Sequence, residues 1–275
     1  MAQSETIRGL ERGLQVLDAL RSSPVASLQE LHDTTRLPKP TLLRILATLI
    51  QAGLVSRRLR DGRYRFTDFG RGKRKRDRYD RVAEAAAPVL DSLCQKVLWP
   101  SDLMVPAGDH MERRETSQAC SPFFPHHTDR NRVGQPVNWL LTGVGRAYLA
   151  FCPEPERDRI VTRLLPSEKP EDQLARDPKR FERILADVRK KGYATRDSIF
   201  PGGSYGTPPR RDDRLAAIAV PLLDRKRVHG SINILWIKTA FTVEDFATRH
   251  LADLQAAARD IVSSLREPAK MSAGR

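Results

Sequence analysis

The sequence predicts an α+β protein of two parts, a small helical module closed by a hairpin and a larger antiparallel sheet covered by helices. Three observations predict it. Residues 27–66, SLQELHDTTRLPKPTLLRILATLIQAGLVSRRLRDGRYRF, order a capped helix, a proline turn, an amphipathic helix and a basic hairpin. From about residue 99 onward, strand-like runs alternate with helical ones. At 275 residues the chain is long enough for two cores.

In the first part, Ile7, Leu10, Leu14, Leu17 and Leu20 recur at helical spacing, and this stripe is expected to close the core of the module. Arg8 and Arg12 fall on another face and are expected in solvent. Ser27 and Glu30 match the S-x-x-E capping box, in which each side chain satisfies a free backbone N–H at a helix start. Leu37-Pro38-Lys39-Pro40 then supplies a turn. Each proline biases its predecessor away from the helical region, and Pro40 fits the first turn of the next helix, where its missing N–H does no harm. That helix is expected to run to about Ala52 and to end at Gly53. Its apolar residues are Leu42, Leu43, Ile45, Leu46, Leu49 and Ile50, while Thr41, Arg44 and Thr48 share one small, polar, cationic face.

The runs 54–59 and 63–67 flank Asp61-Gly62, a dipeptide suited to a tight hairpin turn because it tolerates positive φ. The hairpin carries Arg57, Arg58, Arg60, Arg63 and Arg65. An arginine-bearing hairpin directly after a helix-turn-helix is what a wing needs to reach phosphates or a minor groove. Lys39, Pro40, Thr41, Arg44 and Thr48 are accordingly expected at a major groove, and Arg57, Arg58 and Arg63 at the backbone or minor groove. Helix pairs with scattered arginines also occur as plain solvated surfaces; the order of five signals together favours double-stranded DNA as the partner.

Charge points the same way. The chain holds 48 Lys and Arg against 34 Asp and Glu, net +14, and residues 1–80 hold 17 against 9, net +8. The basic run Arg71, Lys73, Arg74, Lys75, Arg76 suits either DNA flanking an operator or a solvated face. It grades into an alanine-rich helical segment interrupted by Pro88, and residues 68–98 are expected as linker helices between a module at 1–67 and a second domain at 99–267, with 268–275 a disordered tail. No apolar run suggests a signal peptide or a membrane span, so the chain is expected in the cytoplasm. Cys94, Cys120 and Cys152 are odd in number and widely spaced, which makes neither a disulfide framework nor a zinc pattern.

The second part has strand-like runs at 103–106, 111–116, 215–223 and 228–237, and helical patterns at about 141–152, 154–165, 178–191 and 243–266. Catalytic motifs fail on context. Gly202-Gly203-Ser204-Tyr205-Gly206 matches G-x-S-x-G, but Phe200-Pro201 and Thr207-Pro208-Pro209 surround it where a nucleophile elbow needs a strand and a helix, so it reads as a loop or lid. Gly143-Val144-Gly145 lacks the third glycine of a dinucleotide fingerprint; it can be a helix N-terminus open to an anion, or a tight loop-to-helix junction with no ligand. His126-His127 with His110 lacks metal-ligand spacing. Neither a cofactor nor an enzymatic activity is expected. In Arg113-Arg114-Glu115, strand alternation sends one arginine to each face, and one can point inward as a carboxylate partner.

The stretches ERGLQVLDAL and LLRILATLIQAGLV resemble the N-terminal winged helix-turn-helix of the IclR family of bacterial transcriptional regulators. Further on, VLWPSD, RRET, LAFCPE, KKGYA and IAVPLLDRKRVHGSINILW are similar to the branch that activates hydroxyphenylpropionate and related aromatic-acid catabolism. Pro38 stands where many members have Ser, and Asn138 where the family usually has proline. The resemblance implies a GAF-like effector-binding domain and a homodimer or dimer of dimers. It also implies a pocket at Gly143 and Val144, at Arg196 or Asp197 after Lys191-Gly192-Tyr193, at Ala217, and at Asn233 and Leu235. Small-acid-binding relatives place a cysteine near Ala217 and serines at the last two positions, so this pocket is expected to suit an aromatic carboxylic acid. A repressor responding to another organic acid and a non-specific nucleoid-associated protein are the alternative readings.

Overall fold

The computed structural model describes residues 7–22, 25–52, 54–57, 62–66, 77–124, 133–207, 212–225 and 227–266. The chain divides into two compact units, Met1–Asp77 with Phe124–Gly134, and Arg78–Phe123 with Gln135–Arg275. Gly53, Arg58, Arg60, Asp61, the basic run from Arg71 to Arg76, His126, His127 and the tail at 268–275 lie outside the described residues.

In the first unit, helices α1 (Arg8–Ser22), α2 (Leu28–Thr35) and α3 (Lys39–Gln51) pack beside strands β1 (Val25–Ala26), β2 (Val55–Arg57) and β3 (Tyr64–Phe66), which pair in the order β1-β3-β2. The capping box of α2 is complete: Ser27 Oγ accepts from Glu30 N–H, and Glu30 Oε2 accepts from Ser27 N–H at 2.7 Å. Arg36 ends α2 in the left-handed region, and Gln15 Nε2 donates to Thr35 O, tying the turn to α1. Helix α3 starts at Pro38 with no side-chain cap, as expected from the missing Ser.

The core takes Leu31, Leu37, Leu42, Leu46 and Leu49, joined by Val16, Ala19 and Leu20 of α1. This corrects the expectation for α1. Ile7, Leu10 and Leu14 are 71, 58 and 52% exposed, because the short α2–α3 pair accepts only the last turns of the helix, through the face at i, i+3 and i+4 from Val16. Arg8 and Arg12 are exposed.

In the second unit a six-stranded antiparallel sheet runs in the order β6-β5-β4-β9-β8-β7. Its strands are β4 (Ser101–Ala107), β5 (His110–Thr116), β6 (Pro136–Val137), β7 (Ala194–Thr195), β8 (Leu215–Asp224) and β9 (Arg227–Ile237). Helices α4 (Arg78–Val97) and α8 (Val243–Arg266) pack on each other and on the sheet, and α5 (Gly143–Phe151) lies on β7, β8 and β9, with α7 (Pro178–Lys191) behind it. Helix α6 (Glu154–Leu164) follows α5. Phe246 of α8 stacks on Trp236 of β9 with ring centroids 3.8 Å apart, which puts Ile232, Ile234 and Trp236 on the α8 face.

Pro88 does not interrupt α4, contrary to expectation; the helix continues through it for 20 residues. A mid-helix proline costs about 3 kcal/mol. Burial of Ala86, Leu90, Leu93, Cys94 and Val97 on the flanking turns offsets that cost, at roughly 1.5–3 kcal/mol for each large apolar side chain.

Candidate functional site

On α3, Lys39, Pro40, Arg44 and Thr48 are exposed and Thr41 is half-buried. Among the described residues, neither Lys39 nor Arg44 has an ion pair or a side-chain hydrogen bond, so both guanidinium and ammonium face water unpartnered. Thr48 Oγ1 donates back to Arg44 O. The described wing arginines are all engaged within the unit. Arg63 pairs with Glu30, Arg57 Nε donates to Gly62 O at 3.1 Å, and Arg65 Nε donates to Ser56 Oγ at 3.0 Å. The Ser27 N–H bond, followed by the Arg63 guanidinium, holds the Glu30 carboxyl below the usual range against a modest opposing effect of burial.

In the second unit, pairing register places Ala217 opposite Leu235 and Ala219 opposite Asn233. A Cβ on Gly143 would sit 3.3 Å from Ala219 Cβ, so this face of the sheet is the one α5 covers. Strand β4 brings Asp102 opposite Asn233, and β5 brings Arg113 opposite Met104. The result is a buried polar row beside the apolar Ala217 and Leu235. Arg113 Nη2 lies 3.1 Å from Asp102 Oδ2, and its Nη1 donates to Gln135 Oε1, whose amide donates onward to Ser204 Oγ. Asn233 Oδ1 accepts from Asp102 N–H. Of the two neighbouring arginines, Arg113 therefore takes the α5 face; Arg114 takes the other, with Glu112 and Asp80.

The loop into α5 is set by Asn138. Its Oδ1 accepts from both Leu140 and Leu141 N–H, and its Nδ2 donates to the buried Asp172. Asp172 Oδ2 also accepts from Ser167 Oγ and from Tyr205 OH, each at 2.6 Å, which fastens the glycine-rich 202–206 segment. Burial, then Asp172, raise the Tyr205 pKa, so the phenol stays a proton donor. Ser204 accepts from an amide, and 204–207 form a turn closed by a single bridge, not the strand–helix elbow of a nucleophile.

Gly143 and Val144 open α5 behind the N-cap Thr142, whose Oγ1 accepts from Gly145 N–H. Arg196 donates to Leu215 O and to Asp213 Oδ2, each at 2.8 Å. Asp197 pairs with Arg146, which also donates to Leu140 O. Arg146, Asp102, Gln135 and Asp172 carried no sequence signal, because each is defined by a partner far along the chain. Cys94, Cys120 and Cys152 are unbridged, and burial pushes the Cys152 thiol up to about 12, which makes it inert. Among the described residues there is no group of three metal-ligating side chains, and no helix is long and apolar enough to cross a membrane.

The model of the IclR helix-turn-helix domain matches residues 9–59, the helices and first wing strand just described. Residues 9–59 therefore form an IclR-type helix-turn-helix domain, and the chain is similar to HTH-type transcriptional regulators. It is 27% identical over 193 residues to the HTH-type transcriptional regulator BhcR of Paracoccus denitrificans, covering 68% of this chain and 66% of that regulator's length. The fold is similar to that of the Thermotoga maritima IclR, with TM-score 0.52 and 19% identity over 93% of this chain and 98% of the other. It is also similar to an IclR homolog from Microbacterium hydrocarbonoxydans complexed with 4-hydroxybenzoate, with TM-score 0.50 and 21% identity over 94% of this chain and 99% of the other.

The Arg146–Asp197 pair has a pH signature. Burial raises the Asp197 carboxyl, but the Ile199 N–H bond and Arg146 outweigh it and hold the pKa below its ordinary value. The unfolded chain, with a carboxylate near 3.9, therefore takes the proton first as pH falls. Stability from this pair is complete above the unfolded value and is lost as pH drops through the folded one. Asp197→Asn should cost about 3 kcal/mol at pH 7 in denaturant unfolding, and the gap to the native sequence should narrow as pH falls below the ordinary carboxylate range. A gap independent of pH would show that the ionised pair is not its source.

Proposed function

We propose that this chain is a one-component regulator whose second unit binds a small aromatic carboxylic acid and thereby alters operator binding, as an activator of an aromatic catabolic operon in the cytoplasm. The observation that carries the reading is the composition of the α5-covered sheet face, where Ala217 and Leu235 adjoin a buried row ending in Arg113. Apolar surface suits a ring, and a guanidinium suits a carboxylate. Gly143, Val144 and Asn233 border the same face; Arg196 and Asp197 act by holding the surrounding loops. The IclR homolog with bound 4-hydroxybenzoate supports this ligand class. A repressor responding to another organic acid is the second reading.

Residues 1–67 form the DNA-binding domain in this proposal, 68–98 the linker and 99–267 the effector domain. Lys39, Pro40, Thr41, Arg44 and Thr48 meet the major groove, and Arg57, Arg58 and Arg63 meet the backbone or minor groove. Partly palindromic half-sites call for a symmetric homodimer or dimer of dimers. The exposed Ile7, Leu10 and Leu14 stripe supports association of two chains through α1, since it leaves three large apolar side chains uncovered on one face.

Three outcomes test the proposal. Arg44→Ala should cost about 1–3 kcal/mol on operator and much less on scrambled DNA; equal losses make Arg44 a phosphate clamp, and equal native affinities for both DNAs make the protein a nucleoid-type binder. In a thermal-shift panel of aromatic and short aliphatic acids, a benzoate- or phenylpropionate-like acid at 100 times its Kd should add about 2.7 kcal/mol, and no stabilisation by any acid removes the effector assignment. Leu14→Asp should shift sedimentation toward monomer, whereas an unchanged association state moves the interface elsewhere.

A further inference from the structure

The exposed arc of α3 is not the uniformly polar face that Thr41, Arg44 and Thr48 suggest. Leu43 is 47% exposed, while Leu42, Leu46 and Leu49 are at most 8% exposed and fill the core. At about 100° per residue, the order around the exposed side is Lys39, Ile50, Leu43, Ala47, Pro40, Gln51, Arg44, Thr48, with Ile50 and Gln51 in the last turn. An apolar strip of Leu43, Ala47 and Pro40 thus runs along the helix, bracketed by the two cations that have no partner among the described residues. Among the described residues, Leu43 belongs neither to the core nor to the partly buried side chains packed against it.

We infer that this strip reads thymine 5-methyl groups, with Leu43 and Ala47 as specificity-determining residues. The inference rests on the DNA-reading function above and adds what that helix selects. In the major groove the methyl is the one apolar group a base edge presents, and an apolar side chain packed on it distinguishes T·A from the other pairs. The walls of that groove are phosphates, so the surface complementary to it is an apolar strip between cations, which is the order Lys39, Leu43, Ala47, Arg44. Polar edges carry no such demand, and a leucine packed on them would strip their donors and acceptors of water without offering a hydrogen bond in return.

The test needs the full chain and synthetic duplexes. Preferred sites are first selected from random DNA, and each thymine of the selected site is then replaced singly by uracil, which removes the methyl and leaves pairing and hydrogen-bonding groups intact. One or two uracils per half-site should weaken the native protein about fourfold each, the value of one buried methyl. In Leu43→Ala, an exposed substitution that leaves the core untouched, the loss at one of those positions should vanish while overall affinity falls by a similar factor. A selected site insensitive to every uracil overturns the inference and leaves the DNA-reading function standing. So do uracil losses that persist unchanged in both Leu43→Ala and Ala47→Gly, or a Leu43→Ala protein altered only in its association state. Selection that enriches no sequence overturns the DNA-reading function and this inference together.

Discussion

The seating of the first turn of α5 is the constraint on which the larger unit depends. A Cβ at Gly145 would lie 2.1 Å from Trp139 O, and one at Gly143 would press on Ala194 O at 3.2 Å. Backbone therefore meets backbone there, and the preceding loop must fold back tightly to allow it. Asn138 makes that fold-back with two N–H bonds from Leu140 and Leu141, which a proline could not receive in a side chain. Once the loop is fixed, Arg146 reaches both Leu140 O and Asp197, and the segment after β7 is drawn in as well. The sheet face under α5 owes its shape to contacts of this kind more than to any single apolar anchor.

The long elements were legible because their signals are periodic. The strands at 103–106, 111–116, 215–223 and 228–237 extend by a few residues into β4, β5, β8 and β9, and the four helical patterns match α5 to α8 within two residues of each end. The two-residue strands β1, β6 and β7 have no period to read; they exist only because a partner strand lies beside them. The stripe on α1 misled for a related reason. Periodicity reports which face is apolar, not how much of it the neighbours can cover. Pro88 misled in the opposite sense, since burial outweighs a local preference.

At the candidate site, the sequence shows which residues can share a strand face and not which bonds they make. Alternation along β8 and β9 sets Ala217, Asn233 and Leu235 on one face once register is known, but register is a tertiary fact. Asp172 collects Asn138 from 34 residues away and Tyr205 from 33, and Gln135 finds Ser204 across 69. Each residue type is common in loops, and only the folded chain shows which of them converge. The same applies to Arg196, whose proximity to a lysine-glycine-tyrosine motif did not foretell its engagement by Asp213.

The pairing of Arg63 with Glu30 joins the wing to the capping box of α2. A wing arginine that moves to a DNA phosphate therefore exchanges one anion for another, and it does not arrive as a solvated cation. Glu30 keeps its bond to Ser27 N–H when the guanidinium leaves, so the helix start survives the exchange. The carboxylate left behind attracts a cation from solution as the phosphate gives one up, and the net counterion release at this contact is close to zero. The ionic-strength dependence of DNA binding would then register fewer contacts than the number of arginines that touch the duplex.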